Sequence, residues 1–133
     1  MCPVSLGTFN DPSAILQYIP TVLGEGPTGH CLSLAGNAVA LSLDHKPMNT
    51  EEKQRIEAAG GTVSNAGGVP RVNGNLNLSR AIGDLKYKSN MDLPPDAQII
   101  TAHPDVRVFE LSSEDQFFLL ACDGVWDVLS NQV

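Results

Sequence analysis

This chain of 133 residues lacks the features that mark membrane, secreted and nucleic-acid-binding proteins. No apolar run approaches the roughly 20 residues that a transmembrane helix needs, and the first residues do not follow the basic-then-apolar pattern of a signal peptide. Only 8 basic residues stand against 15 acidic ones, and the net charge of −7 disfavours a nucleic-acid-binding surface. We therefore expect no nucleic-acid or membrane partner, and a soluble, intracellular protein of the cytoplasm and/or nucleus.

Cysteine is also scarce. Cys2, Cys31 and Cys122 are odd in number and far apart, which argues against a disulfide framework and against a zinc site of paired cysteines. We expect all three to be reduced thiols. With 42% apolar and 17% charged residues the composition is that of a globular protein, and the length is that of one ordinary domain.

Several catalytic motifs are absent from the sequence. It contains no GxxxxGK[ST] phosphate loop, no HExxH zinc motif, no GxSxG nucleophile elbow and no DxDxDG calcium loop. An aspartyl-phosphate hydrolase is disfavoured too, because the acid that follows Asp123 is Asp127, four residues on rather than two. The sequence therefore supports none of these five classes of site.

The most informative stretch is residues 117–122 (FFLLAC), six apolar residues followed by Asp123 and Gly124. The run is short, begins with aromatic residues and stops at Asp-Gly, so it predicts a buried strand that ends at an acid. A carboxylate displayed where a rigid strand ends is well placed for catalysis or metal binding. It is equally suited to capping a helix that begins near Val125. Both interpretations remain open at this point.

Local patterns predict a hairpin and a helix in the first half of the chain. Residues 31–34 and 38–43 flank a Gly-Asn turn and favour two antiparallel strands. Asn49 as N-cap and Glu52 in the capping-box position predict a helix over residues 50–59. Gly60 suits the left-handed position that ends such a helix.

Further strands are expected towards the C-terminal side. Alternating apolar and polar residues favour a strand over residues 76–84, and short apolar runs favour strands at 99–101 and 106–111. The polar turn at 112–115 predicts that strands 106–111 and 117–122 pair with each other. Residues 1–29, interrupted by four prolines, are expected to be a divergent leader whose only candidate helix covers residues 13–19.

Acids that follow strands or lie in turns are the candidate functional residues: Asp44, Asp84, Asp105 and Asp123. Mg²⁺ and Mn²⁺ prefer oxygen ligands, and acids at strand ends can supply them from remote parts of a chain. Each signal is weak alone, and Asp84 and Asp105 are more simply explained as turn residues. For His45 and His103 we expect structural roles, because nothing pairs them with a nucleophile.

Taken together, the motifs resemble the metal-dependent serine/threonine protein phosphatases of the PPM/PP2C type, most closely the gamma-type members. The resemblance covers about residues 31–133 and rests on motifs in matching order and spacing. They are residues 43–47 (LDHKP), 58–61 (AAGG), 71–74 (RVNG), 76–84 (LNLSRAIGD) and 120–128 (LACDGVWDV).

The resemblance implies a fold, a reaction and site residues. The implied fold is α+β, an incomplete part of an α/β/β/α sandwich of two antiparallel sheets flanked by helices. The implied reaction is hydrolysis of phosphoserine and phosphothreonine in phosphoproteins by a water that bridges two Mg²⁺ or Mn²⁺ ions. Asp123 matches the family's metal-ligating aspartate. Asp44, Arg80 and Asp84 match characteristic motif positions with supporting or structural roles, and no catalytic residue is assigned.

The sequence also departs from the family pattern. It has no N-terminal phosphate-binding arginine, no early acidic ligand and no DGHGG segment, and residues 28–31 read TGHC where the family has GDSR. A helix of about two turns at the last residues is an unusual end for a domain. We therefore expect a fragment, the C-terminal half of a catalytic domain, with a leader at 1–29 and a partial phosphatase domain at 30–133.

Two functions remain open for this chain. One is a phosphatase that is weak or inactive as this polypeptide, since one aspartate cannot hold two divalent cations tightly. The other is a non-catalytic, phosphatase-like interaction module. The sequence specifies neither the substrate nor the oligomeric state.

Overall fold

The structure, a computed structural model, describes residues 5–8, 15–18, 30–34, 36–110 and 112–132. It contains helices and antiparallel strands, which confirms the α+β class. In chain order the elements are β1 (Ser5–Thr8), β2 (Ile15–Tyr18), β3 (His30–Leu34), β4 (Asn37–Ala40), α1 (Thr50–Ala58), β5 (Val63–Ala66), β6 (Val69–Val72), the 3-10 turns Leu85–Tyr87 and Pro95–Ala97, β7 (Arg107–Glu110), β8 (Asp115–Leu120) and α2 (Asp123–Trp126).

The chain divides into two compact units. The first unit combines Met1–Asp44 with Pro104–Val133, and the second unit is His45–His103. The first holds a four-stranded antiparallel sheet of order β1-β8-β3-β4 and the two-stranded sheet β2-β7, while the second holds α1 and the sheet β5-β6. In the part of the chain that is described, no helix combines the length and apolarity needed to cross a membrane.

The predicted hairpin is confirmed by β3 and β4. Leu34 lies opposite Asn37 and Cys31 opposite Ala40, and Gly36 takes a φ of +82° in the turn between the strands. Glycine has no Cβ to oppose this left-handed conformation. The second strand ends at Ala40, three residues earlier than predicted.

Strand β8 confirms the predicted strand before Asp123, but its neighbours and burial differ from the prediction. It lies between β1 and β3 and uses both edges, so it is not paired with β7, which pairs with β2. The prediction of a β7–β8 pair is therefore wrong. The strand is partly rather than fully buried, since Phe117 is 36% exposed and residues 118–120 are only half-buried.

Two further predictions for the first unit are wrong. Residues 15–18, assigned to a candidate helix, form strand β2, because pairing with β7 outweighs the weak propensity of so short a segment for helix. The other described positions of residues 1–29 are 5–8, which form β1. Cys122 is disulfide-bonded, which contradicts the expectation of three reduced thiols.

The second unit is built on a small apolar core. Ile56 of α1 packs with Val72, Ala81, Tyr87 and Ile100. Helix α1 confirms the predicted helix, and Gly60 ends it with a φ of +86°, as expected of a left-handed terminator. The core therefore joins the helix to the hairpin β5-β6 and to the long connection that follows it.

That connection is not a strand where the alternating pattern predicted one. Residues 76–84 make only isolated bridges, Leu76 to Val72 and Arg80 to Thr101, and residues 99–101 form no strand either. A strand would bury the apolar side chains of this segment and expose the polar ones. Here Ser79 is fully buried and Ile82 is exposed, because the polar side chains turn inward to a charged partner.

Candidate functional site

The second unit contains a buried carboxylate that binds two arginines. The Glu52 side chain is only 3% exposed, and its Oε1 accepts hydrogen bonds from Arg80 Nη2 at 2.6 Å and Arg80 Nε at 3.0 Å. Its Oε2 accepts from Arg55 Nη1 at 2.7 Å and from the Ser79 hydroxyl at 2.5 Å. Both oxygens of Glu52 are thus fully engaged, as a buried charge requires.

This geometry corrects the expected capping box. The residue before α1, Asn49, makes no side-chain capping bond, and Glu52 points into the unit instead of back to the helix N-terminus. Arg55 pairs with Glu52, three residues earlier, and both side chains are mostly buried. On its inner face, helix α1 therefore carries one ion pair of its own, Arg55 to Glu52, and one tertiary ion pair, Arg80 to Glu52.

Other donors of the two arginines bind backbone carbonyls of the long connection and of the residue that ends the unit. Arg55 Nη2 donates to the Ser79 carbonyl at 2.7 Å and Arg55 Nε to the Gln98 carbonyl at 3.2 Å. Arg80 Nη1 donates to the His103 carbonyl at 3.1 Å. One carboxylate and two guanidinium groups thus join α1 to residues 79–80, 98 and 103.

The electrostatic result is a carboxylate that stays charged. Burial by itself raises the pKa of Glu52, but the hydrogen bonds from Arg80 and Ser79, with the charge and hydrogen bond of Arg55, outweigh burial and hold that pKa below its ordinary value. The ion pairs are therefore fully formed at neutral pH.

Asp84, a predicted motif residue, lies in an exposed turn of the second unit. Its φ of +50° is left-handed, and its carbonyl accepts a hydrogen bond from the Tyr87 N–H at 2.9 Å at the start of the 3-10 turn. Asp and Asn tolerate this conformation better than most residues. Arg80 and Asp84 thus lie in one connection, with Arg80 turned inward and Asp84 exposed.

Asp44, Asp105 and His103 are the other residues singled out from the sequence before the last two strands. Asp44 is half-buried at the end of the first unit's N-terminal part, and the next carbonyl, that of His45, lies 2.7 Å from the Ser79 hydroxyl. Asp105 is exposed in a segment without regular structure. His103 is exposed and binds Arg80 and Thr101 through its backbone.

Asp123 lies where the sequence predicted an acid, just beyond the end of β8. It is the first residue of α2, is half-buried, and its Oδ1 accepts a hydrogen bond from the Gly124 N–H at 2.8 Å. The helix begins at Asp123 itself and spans one turn, earlier and shorter than predicted. Trp126 fixes this corner through a hydrogen bond from its Nε1 to the Ala121 carbonyl at 2.8 Å.

The metal site implied by the resemblance can be compared with these positions. Asp44 and Asp123 lie in the first unit, and Arg80 and Asp84 in the second. Within the described residues, no three side chains of His, Cys, Asp or Glu come together in a way that could hold a metal ion. These residues do not by themselves form a binuclear centre.

Glu52 and its partners are the polar cluster that sequence reasoning missed. The sequence did contain a pattern that indicates burial, because Glu52, Ile56 and Ala59 are spaced as one face of a helix. All three residues are buried in the structure. A carboxylate on the same face as a core isoleucine needs a buried cation. The capping-box pattern offered a local explanation for Glu52, so its burial and its ion pairs were not predicted.

Comparison with known proteins accounts for the motif pattern. A family model described as protein phosphatase 2C matches residues 26–133. Probable protein phosphatase 2C 42 of Oryza sativa is 51% identical over 119 residues, covering 89% of this chain and 34% of the relative. Protein phosphatase 2C homolog 2 of Aspergillus flavus is 50% identical over 120 residues, covering 90% of this chain and 27% of the relative.

Solved structures agree with the sequence matches. A phosphatase from Toxoplasma gondii superposes with a TM-score of 0.70 at 48% identity, covering 77% of this chain and 30% of that structure. The chain thus spans about a quarter to a third of the relatives that it matches. A serine-threonine phosphatase 2C, also from Toxoplasma gondii, superposes with a TM-score of 0.64 at 29% identity, covering 80% of this chain and 38% of that structure. The two structures confirm the implied incomplete sandwich fold. Metal dependence is a general property of this group of phosphatases. On the match over residues 26–133 and the identity of about one half, the chain belongs to the protein phosphatase 2C family.

Proposed function

We propose that the protein is a serine/threonine phosphatase that hydrolyses phosphoserine and phosphothreonine in phosphoproteins. The observation that carries this proposal is the family match over residues 26–133, with relatives about 50% identical that are named protein phosphatase 2C. Activity is a proposal because the chain spans only part of those relatives. We also propose that the phosphatase domain begins near residue 30, after a leader at residues 1–29, and the family match, which begins at residue 26, supports this approximate position.

We assign the metal-ligand role to Asp123 and supporting roles to Asp44, Arg80 and Asp84. Support for Asp123 comes from its position just beyond the end of β8, where the sheet holds the backbone in place. Its carboxylate is half-buried, so it is accessible to a metal ion. Mg²⁺ or Mn²⁺ is the proposed metal, with two ions in the complete family site. Hard cations of this kind take oxygen ligands such as a carboxylate.

An assay of the purified chain with a phosphothreonine peptide and Mn²⁺ tests the proposal. We expect weak turnover that depends on Mn²⁺, falls to background in Asp123→Ala, and is kept in Asp92→Ala, a matched control at an exposed acid of the other unit. Undiminished turnover in Asp123→Ala would contradict the assignment of Asp123 as a ligand.

A non-catalytic interaction module is the second candidate function. The observation that favours it is that the described residues contain no cluster of three or more potential metal ligands. This function predicts no turnover with Mn²⁺ for the wild-type chain. Mn²⁺-dependent turnover that Asp123→Ala abolishes would exclude it.

We also propose an intracellular location, in the cytoplasm and/or nucleus, for a protein that acts on phosphoproteins. The observation against it is the disulfide at Cys122, because such bonds are rare in reducing compartments. Fractionation of cells, followed by immunoblotting for this chain, tests the location. Recovery in the cytoplasmic and/or nuclear fraction is expected, whereas recovery in a secreted or luminal fraction would contradict the proposal.

A further inference from the structure

Arg80 lies in the motif over residues 76–84, and the structure binds all three nitrogens of its side chain to acceptors of its own chain. Nε and Nη2 both bind Glu52 Oε1, and Nη1 binds the His103 carbonyl. The Arg80 side chain is 10% exposed. These contacts fix the orientation of the guanidinium group within its own unit.

The same carboxylate determines where the preceding residue lies. Ser79 is fully buried, its hydroxyl bonds Glu52 Oε2, and its carbonyl accepts from Arg55, which is itself paired with Glu52. Next to Arg80, the Ala81 N–H bonds the Thr101 carbonyl at 2.9 Å. Residues 79–81 are thus fixed on both sides. Glu52 and Arg55 hold them on one side, and backbone pairing with Thr101 holds them on the other.

The conformation of Asp84 depends on this fixed segment. Only Ile82 and Gly83 separate Asp84 from Ala81, and both side-chain positions are exposed. Gly83 and Asp84 take φ values of +90° and +50°, a reversal that turns the chain outward. The turn is held at both ends, by residues 79–81 before it and by buried Tyr87 after it, whose N–H binds the Asp84 carbonyl. Residues 79–81 therefore set the direction in which the chain enters the turn.

We propose that Glu52 is a positioning residue: through Ser79 and Arg80 its carboxylate fixes the segment that presents Asp84. The relevance to catalysis rests on the proposed phosphatase function, in which Asp84 has a supporting role. The positioning itself concerns the conformation of this chain and is measured without turnover. Glu52 touches no substrate in this role, and its effect passes entirely through residues 79–81.

The test compares Glu52→Gln with Glu57→Gln by NMR. Both changes remove one charge from α1, but Glu57 is an exposed partner of Lys53 at 3.8 Å. In the wild type we expect a slowly exchanging Arg80 Nε–H signal and a protected Ala81 amide, which bonds the Thr101 carbonyl. In Glu52→Gln the Arg80 signal should exchange at least ten times faster and the Ala81 amide should lose protection, while α1 amides keep theirs. Glu57→Gln should change none of these signals.

Two outcomes would overturn the proposal. One is an Arg80 Nε–H signal that exchanges equally slowly in Glu52→Gln. The other is loss of protection across the whole second unit, which marks Glu52 as a general contributor to stability rather than a positioning residue. If Glu52→Gln fails to fold, Arg80→Lys is the second variant, which keeps the charge and removes the forked contact. It should lose protection at the Ala81 amide while α1 amides remain protected, and uniform loss would again contradict the proposal.

Kinetics separate this proposal from the proposed function. If the wild-type chain turns over phosphopeptide, Glu52→Gln should lower kcat about tenfold with little change in KM, and an unchanged kcat would contradict a link to catalysis. If the wild-type chain is inactive while the exchange results hold, the proposed function fails for this chain and the positioning by Glu52 stands.

Discussion

At the scale of the residue, Glu52 shows how a short sequence pattern with two meanings is resolved by packing. The spacing of Asn49 and Glu52 fits a capping box, but the same carboxylate faces the core beside Ile56. Burial decides between the two, since a charge on an inner face must find cations, and Arg55 and Arg80 supply them. The sequence could show the acid and both arginines, but not the contact between residues 28 apart.

The pH dependence of stability should reveal this carboxylate. The pKa of Glu52 is lower in the folded protein than in the unfolded chain, so Glu52 contributes stability above the unfolded pKa of about 4.5. That contribution is lost as pH falls through the lower, folded pKa. At pH 7 we expect Glu52→Gln to reduce the free energy of unfolding by about 2 to 3 kcal/mol, since bonds to a buried charge are lost.

Urea unfolding of the wild type and Glu52→Gln between pH 7 and pH 2.5 measures this difference. The gap between the two proteins should narrow as pH falls below about 4.5, where Glu52 of the unfolded chain takes up a proton while Glu52 of the folded protein is still charged. It should reach its minimum once the pH has fallen through the lower, folded pKa. Glu57→Gln, at an exposed position, serves as the control and should follow the wild type. A gap that stays constant down to pH 2.5 would contradict the ion-pair explanation.

At the scale of the element, local signals predicted α1 and the hairpin β3-β4, whereas long-range pairing was not predictable. Helix and turn signals act within a few residues, so Gly60 and Gly36 mark their positions directly. Strand β8 instead selects β1 and β3, which lie far away in sequence. Asp123 was predictable because a strand end is a local feature, while the residues that surround it are not.

Packing at the end of α1 gives a second prediction. A Cβ added at Gly61 would lie 2.9 Å from Ile56 Cγ2, 3.0 Å from Ile99 Cγ2 and 3.1 Å from the Ile56 carbonyl oxygen. Because the backbone carbonyl cannot easily move, we expect Gly61→Ala to destabilise the protein by about 1 to 3 kcal/mol.

Thermal unfolding of Gly61→Ala and Gly60→Asn provides the measurement. No atom lies within 4 Å of a Cβ at Gly60, and asparagine tolerates its positive φ, so Gly60→Asn should lower Tm less than Gly61→Ala. Equal losses at the two positions would show that backbone conformation, rather than the Ile56 contact, determines the cost.

At the scale of the whole molecule, the family was predictable and the division into two units was not. Five motifs in order and spacing indicated the phosphatase family, and the match over residues 26–133 confirms it. The units group residues by contact rather than by chain order, since residues 104–133 join the N-terminal part. The closer likeness to gamma-type members and the roles of Asp44, Arg80, Asp84 and Asp123 stay predictions.

The disulfide gives a prediction for the whole chain. The sequence has three cysteines, and Cys122 is disulfide-bonded, so the oxidised monomer should hold one free thiol. Thiol titration of the unfolded, unreduced monomer measures this number. We expect one reactive thiol before reduction and three after it. Three thiols before reduction would contradict the disulfide at Cys122.

The shared carboxylate of Glu52 also bears on the order in which this protein folds. Helix α1 needs only local hydrogen bonds, whereas Arg80 reaches Glu52 only after a loop of about 28 residues has closed. Contacts between such distant residues form late, after the loop entropy has been lost. The Glu52–Arg80 bond should therefore lower mainly the rate of unfolding and leave the rate of folding nearly unchanged.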